Sequence, residues 1–353
     1  MAAAAVITVL VFVVFSGGDK SNEDASAADN PGGVDASFTV PATTLPQVVV
    51  GPDTGVEKTN LTRDLKKGNY GDDVVALQTR LAQLGFDTNG IDGQFGSGTR
   101  MAVWAFEGLV YGRPYAEQTG VVTNEMWQKM QDPITFQAQR AEVRDGATHM
   151  EIYLPIQAAI VFTDSRVRLI THISSGDGQQ WCEVITQDTD DKGQPLAAPV
   201  LLDVCGVSKT PGGVFRFYRR YEGKRLGPLG GMMNPVYFNY GIAVHGADNV
   251  PLEPASHGCI RIPQWIAVYF PTLVNSDGRN GDYVYVWGMD GKQPEENTDQ
   301  EMLPVFNFKN PNSTLTTTTT TIATSTTVKD TATTKAPTTT AATTTEPPPT
   351  SGG

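Results

Sequence analysis

The stretch "PASHGCIRIP", residues 254–263, places a thiol two residues after His257 and fourteen after His245. A thiol beside an imidazole is the simplest activated nucleophile: the thiolate attacks, and a neighbouring histidinium draws the thiol pKa down. In an extended segment His257 and Cys259 share a face but stand ~7 Å apart, too far for a direct hydrogen bond. His245 ends the strand-like run "YFNYGIAVHG", and an adjacent strand brings such a residue opposite a distant one, with Cβ atoms ~5 Å apart. His245 is therefore the expected base and His257 a supporting residue. Gly258, having no Cβ, allows a turn that aims the Gly258 and Cys259 amides at an oxyanion. Arg261 shares the thiol's face in an extended segment and can hold a substrate carboxylate through two parallel hydrogen bonds.

Each residue has a plainer reading: an inert buried thiol, a surface histidine, an ordinary turn glycine, a solvated arginine. A zinc site would need a second thiol at ligand spacing, and none follows. What favours chemistry is the coincidence of a thiol, two histidines, a glycine and an arginine within positions 245–261. The chain has three cysteines, an odd number. Cys182 and Cys205 lie in strand-like "QQWCEVITQ" and "LLDVCGVSK" without reactive neighbours. A Cys182–Cys205 disulfide with Cys259 free is the natural partition; two buried free thiols are the alternative, since pairing does not follow from sequence.

The elements that must position these residues begin near Thr148, where the apolar period becomes two. "HMEIYLPIQAAIVFTDSRVRLITHISSG" reads as two or three strands with a turn at "TDSR", and five further Val-, Ile-, Tyr- and Phe-rich runs extend to "DYVYVWG". One helix is expected at "PQWIAVYFPTLV", with Pro263 near its first turn. Upstream, Val74, Leu77, Leu81 and Leu84 recur at helical spacing, with Asp72 or Asp73 as start and Gly85 as stop. Ser97 opens a second helix and Thr123 caps a short third one, giving a bundle close to the lower size limit for independent folding.

The ends differ. Residues 2–15 are unbroken apolar, the length of a signal-peptide core and short for a membrane span, which needs about 20 residues. Residues 1–17 are read as a signal peptide or a retained membrane anchor, and "ASA" at 25–27 resembles a cleavage site. Residues 18–62 read as a flexible linker. Residues 311–353 are nearly half threonine, with prolines; they cannot build a core and are expected to be a disordered tail, glycosylated or bare. The net charge of −12 argues against a phosphate-binding surface, so nucleic acid is not an expected partner.

Two resemblances follow. Around Gly68, Gly71, Leu77, Gln78, Leu81, Gly85, Asp92, Gly93, Phe95, Gly96, Thr99, Val103 and Phe106, residues 63–131 resemble the peptidoglycan-binding domain family, and a peptidoglycan ligand is implied by that resemblance alone. "AVHG" followed by "SHGCIRIP", with "HISSG" and "SKTPGGVFRF" upstream, resembles the YkuD-type L,D-transpeptidase catalytic domain over residues 148–288. The resemblance implies a multidomain chain: a three-helix bundle, then a mainly-β catalytic domain, then the tail. It puts the family's nucleophile on Cys259 and its proton-accepting histidine on His245. The carbonyl that orients the imidazole falls on Gly246, the supporting serine of the Ser-His-Gly-Cys core on Ser256, and the following Arg/Asn position on Arg261. The loop "GADNVPLEPA" between His245 and Cys259 is compact and proline-stiffened.

The implied reaction is acyl transfer on peptidoglycan: a tetrapeptide stem as donor, a thioester on Cys259, and a stem amine as acceptor, giving 3→3 cross-links without metal or cofactor. Hydrolysis of the same thioester, as in a carboxypeptidase or wall-trimming peptidase, is one alternative. A non-catalytic wall-binding protein is another. The expected location is exported, in the cell wall or extracellular.

Overall fold

A computed structural model describes residues 45–53, 55–140, 147–189, 195–227, 230–296 and 308–309. The apolar run at 2–15, the "ASA" stretch, the linker before Leu45 and the threonine-rich tail lie outside the described residues.

The first strand, β1 (Gln47–Val50), is followed by helices α1 (Asp72–Gln83), α2 (Ser97–Tyr111) and α3 (Asn124–Met130), then β2 (Ile134–Gln137). In α1 the buried residues are Val74, Leu77, Gln78 and Leu81, one face of the helix. Gly85 follows at φ +95°, a left-handed stop that glycine adopts without strain. Neither expected aspartate caps α1: Gly71 holds the cap position without a side-chain bond, while Asp72 and Asp73 lie in the first turn, where their charge complements the helix dipole. Thr123 does cap α3, its side chain accepting from the Met126 amide.

Gln78, almost wholly buried, organises the glycine-rich loop "NGIDGQFG". Its Nε2 donates to Asp92, to Thr99 and to the Gln94 carbonyl, and its Oε1 accepts from the Asp92 and Gly93 amides. Such complete satisfaction is what allows a polar amide into a helical core.

Residues 47–50 correct the linker expectation. β1 pairs antiparallel with β2, from Gln47↔Gln137 to Val50↔Ile134, and Val48 packs on the helical core. The Ser/Ala/Asp-rich average over 18–62 hides the β-branched run "QVVV".

The β region opens with β3 (Thr148–Tyr153), β4 (Ala158–Thr163) and β5 (Arg166–His172), continues through β6 (Gln180–Thr189), β7 (Pro195–Val207), β8 (Gly213–Arg216), β9 (Arg219–Arg220), β10 (Lys224–Gly227), β11 (Gly230–Asn239), β12 (Ile242–Ala247) and β13 (Ile260–Pro263), and ends with helix α4 (Gln264–Leu273), β14 (Tyr283–Trp287) and β15 (Phe308–Lys309). One sheet has the order β5-β4-β3-β14-β8; a second has β10-β11-β12-β13 with β9 on β11; a third has β15-β7-β6. Pro263 stands just before α4, which also carries Pro271 inside it.

The first sheet is buried on both faces. Met150, Ile152, Ala159, Val161, Val284 and Val286 join a core with the second sheet and α4. Tyr153, Ala158, Ile160, Phe162, Ile170 and Trp287 join the core of the helical bundle instead. Double burial explains the near-continuous apolar run "AAIVF" where a half-exposed strand would alternate. The bundle therefore completes its core on the sheet rather than standing alone. Phe86 is central: it bridges Ile170 and meets the rings of Phe106 and Phe136 at 5.9 and 5.7 Å. Asp87 extends the junction, accepting from Trp265 Nε1 at 3.0 Å and from the Tyr269 hydroxyl, both on α4.

Phe86→Ala is expected to cost about 3–5 kcal/mol, the usual range for emptying a buried phenylalanine site. Because the core is shared, helical and β signals are expected to melt together at a lower temperature. Calorimetry with far- and near-UV circular dichroism checks this; two separated transitions would mean that the bundle and sheet are independent.

Candidate active site

Alternation along the second sheet sorts the residues that could do chemistry from those that hold it together. Ile242 and Val244 on β12, and Ile260 and Ile262 on β13, lie in the core shared with α4. Side chains alternate along a strand, so Ala243, His245, Cys259 and Arg261 fall on the opposite face. β12 and β13 run parallel, with Val244↔Ile260 and His245↔Arg261 in register. Cys259 directly precedes Ile260 and so continues the row opposite Ala243. His245 thus faces Arg261 directly and Cys259 diagonally, not squarely as the sequence suggested. The parallel pairing requires residues 248–259 to carry the chain back along the sheet, which is the task of the proline-stiffened loop.

His245 is buried. Its Nδ1 lies 3.0 Å from the Gly246 carbonyl oxygen. A carbonyl only accepts, so Nδ1 carries the proton and Nε2 is left as the basic nitrogen. Burial lowers the His245 pKa to about 4, opposed by the Gly246 hydrogen bond and assisted by the Arg261 charge. The half-buried Cys259 thiol is shifted upward, chiefly by burial, while a hydrogen bond from the Ala243 main chain and the Arg261 charge pull it down. Its Sγ lies 3.7 Å from the Gly241 carbonyl oxygen. At rest near neutral pH the pair is a thiol and a neutral imidazole. Burial also lowers the Arg261 pKa, against the opposing effects of Cys259 and Asp177.

The turn before the thiol is built tightly. Gly258 has φ +126°, and a Cβ there would lie 2.8 Å from the Lys209 carbonyl oxygen, so both conformation and space require glycine. Ser256 Oγ accepts from the Gly258 amide at 3.0 Å and donates to the Cys259 carbonyl at 2.5 Å. The Gly258 amide is thus engaged within the turn, which corrects its assignment as an oxyanion donor. His257 turns toward β6 instead of the thiol: its Nε2 lies 3.3 Å from Glu183, and its ring meets Trp181 edge-on at 5.0 Å. Gly246 is hemmed in as well, since a Cβ would lie 2.6 Å from that of Ala267 on α4.

Residues absent from the expected set secure the rest. Thr210 Oγ1 donates to the Gly258 carbonyl and accepts from the Gly176 amide. Gln157 accepts from the Ser175 amide and donates to its hydroxyl, while Ser174 and Arg261 exchange main-chain bonds at 2.9–3.0 Å. His172 reaches the returning loop, its Nε2 lying 2.8 Å from the Pro251 oxygen. Thr210, His172 and Ser175 lie in stretches quoted for the resemblance, without being singled out there; Gln157 carried no local signal. Cys182 and Cys205 are disulfide-bonded across β6 and β7, and Cys259 is free.

Residues 148–293 match the family model of the L,D-transpeptidase catalytic domain, and residues 70–130 that of a putative peptidoglycan-binding domain. An L,D-transpeptidase structure from Xylanimonas cellulosilytica is 27% identical, covering 65% of this chain and 100% of that one, with a TM-score of 0.49. One from Stackebrandtia nassauensis is 17% identical, covering 65% and 97%, with a TM-score of 0.33. The catalytic domain of an E. faecium L,D-transpeptidase is 19% identical over 42% and 99%, with a TM-score of 0.26. No curated protein matches the chain.

His245 and His172 are both lowered by burial to about 4 from an ordinary 6.5. The folded chain keeps them neutral while the unfolded chain protonates them below about 6.5, so unfolding takes up protons in that window. Stability is expected to be full above 6.5 and to fall as pH drops from 6.5 toward 4. Thermal midpoints across that range measure it, and His172→Asn should flatten the slope; an unchanged midpoint from 6.5 to 4.5 would contradict neutral burial. Alkylation of the free thiol should rise with pH to a half-maximum above the ordinary 9.0.

Proposed function

With residues 148–293 forming an L,D-transpeptidase catalytic domain behind a peptidoglycan-binding domain at 70–130, we propose that the chain cross-links peptidoglycan 3→3 through a thioester on Cys259. The observation that carries this reading is the single face shared by His245, Cys259 and Arg261, with the basic nitrogen of His245 selected by the Gly246 carbonyl.

The donor is a tetrapeptide stem, and the attacked carbonyl belongs to the residue before its terminal D-Ala. Thiol and imidazole are both neutral at rest, so the proton passes from Sγ to His245 Nε2 as the sulfur–carbon bond forms. The carbonyl oxygen takes up the charge and is met by the Cys259 amide, the donor of the expected pair that the Ser256 turn does not engage. On collapse the carbon–nitrogen bond breaks, His245 returns the proton to the departing amine, and D-Ala leaves. The amine of a second stem then attacks the thioester, gives its proton to His245, and the thiolate leaves and is reprotonated. Arg261 holds the carboxylate of the departing residue. Ser256 and Gly258 shape the turn, and His257 tethers it to β6.

Cys259→Ala is expected to abolish acyl-enzyme, and His245→Ala to slow it by roughly 100- to 10,000-fold, the range for loss of a general base. His257→Ala should cost less. A carbapenem gives a mass readout, since one drug molecule should add at Cys259 in the wild-type chain. The reverse ranking of the two histidines would move the base to His257. With purified stem peptides, mass spectrometry separates the outcomes: dimer supports transpeptidation, release of trimmed stem alone supports the hydrolytic reading, and no adduct in a folded, Cys259-reduced chain supports the non-catalytic one.

A further inference from the structure

The face that carries the thiol extends across the whole second sheet. Arg219 on β9 pairs with Tyr237 on β11, and Tyr237 with Ala243 on β12; Cys259 continues the row. The Arg219 guanidinium lies 4.5 Å from the centre of the Tyr237 ring. Arg225 on β10 donates to the Tyr237 hydroxyl at 2.8 Å and lies 4.3 Å from the centre of Tyr221. Tyr221 and Tyr237 meet edge-on at 6.1 Å. Two guanidiniums therefore share one tyrosine pair in the row of the nucleophile.

Neither arginine pairs with a carboxylate among the described residues. Composition makes this pointed, for the chain carries 38 acidic against 26 basic residues. Two like charges held together without a counter-ion repel each other, and an anion between them relieves that repulsion. Stacking occupies the flat faces of the guanidiniums and leaves N–H edges to accept a carboxylate in bidentate fashion. Ala243, buried and the smallest side chain in the row, is all that stands between the tyrosine and the thiol.

We infer that Arg219 and Arg225, seated on Tyr237 and Tyr221, form a carboxylate-binding subsite across the sheet from Cys259, reading a carboxylate of a peptide substrate remote from the scissile bond. The inference rests on Cys259 being the acylated thiol. Spacing sets which carboxylate it takes. Two strand separations put Tyr237 about 10 Å from Cys259, roughly three residues of extended chain. The carboxylate of the departing residue is one residue away and falls to Arg261 instead. The ligand is thus an acidic peptide, with its carboxylate on either the donor or the acceptor stem.

The test uses the full chain and Arg219→Gln, Arg225→Gln and the double variant. Acylation of Cys259 by a tetrapeptide-stem donor is followed by mass spectrometry, then dimer formation against acceptor concentration. Each is repeated with stems whose carboxylates remote from the scissile bond are amidated. The double variant should raise the half-saturating concentration of one acidic stem about 10- to 100-fold, the range for losing a charged hydrogen bond, with the maximal rate little changed. Amidation should cost the wild-type chain as much and the double variant nothing further. An effect confined to acylation assigns the carboxylate to the donor; one confined to dimer formation assigns it to the acceptor. Wild-type acylation with neither step altered by the variants or by amidation overturns the subsite. So does equal weakening of acidic and amidated stems by the double variant. If the wild-type chain forms no acyl-enzyme, the catalytic reading fails separately, and calorimetry of the acidic and amidated stems on Cys259→Ala decides the subsite: affinity lost on amidation and in the double variant supports it, and equal or absent binding overturns it.

Discussion

The parallel pairing of β12 with β13 is the constraint on which the site depends. Val244, Ile260 and Ile262 must be buried against α4 and the first sheet, and that burial turns the alternate residues His245, Cys259 and Arg261 outward together. The side-chain period is two, so a slip of one residue in β13 would put the thiol into the apolar core and expose two isoleucines. The register is held from both ends. Gly246 allows α4 to press on β12, and Gly258 allows the turn to approach the Lys209 backbone.

From that pairing the supports run outward without a break. Thr210 fastens the turn to Gly176, Gln157 fastens Ser175, and the Ser174–Arg261 exchange joins the strand edge to β13. His172 holds the returning loop at Pro251, and the ring of His172 rests 5.1 Å from that of Trp104 on α2. The helical bundle thus reaches to within two contacts of the loop joining His245 to Cys259, and Asp87 reaches α4.

Local patterns carried much of this. The alternation in "GIAVHG" and "CIRIP" told which residues share a face, and the helical spacing of Val74, Leu77 and Leu81 located α1. The parallel register between segments separated by a loop is a long-range property, so the diagonal placement of His245 was not legible. The Gly258 amide was misread for a local reason: a serine two residues earlier bonds to it, a competition that side-chain hydroxyls commonly win in turns. The strand at 47–50 was hidden by averaging over its polar surroundings. The shared core was hidden because apolar periodicity shows that a face is buried and not what buries it. Arg219 and Tyr237 lie in two of the runs read as strands, but only strand pairing puts them in one row with the thiol and brings Arg225 beside them.

The core common to bundle and sheet has a geometric consequence. Two bodies joined by a linker sample many separations, whereas two that bury Phe86, Phe106, Ile160 and Trp287 in one interior move as one piece. Under the proposed function, the span between a wall strand gripped by the bundle and the thiol that joins stems is then a constant of the fold. The catalytic unit acts as a ruler rather than a leash, and the places on a strand where it can work are set by where that strand is held.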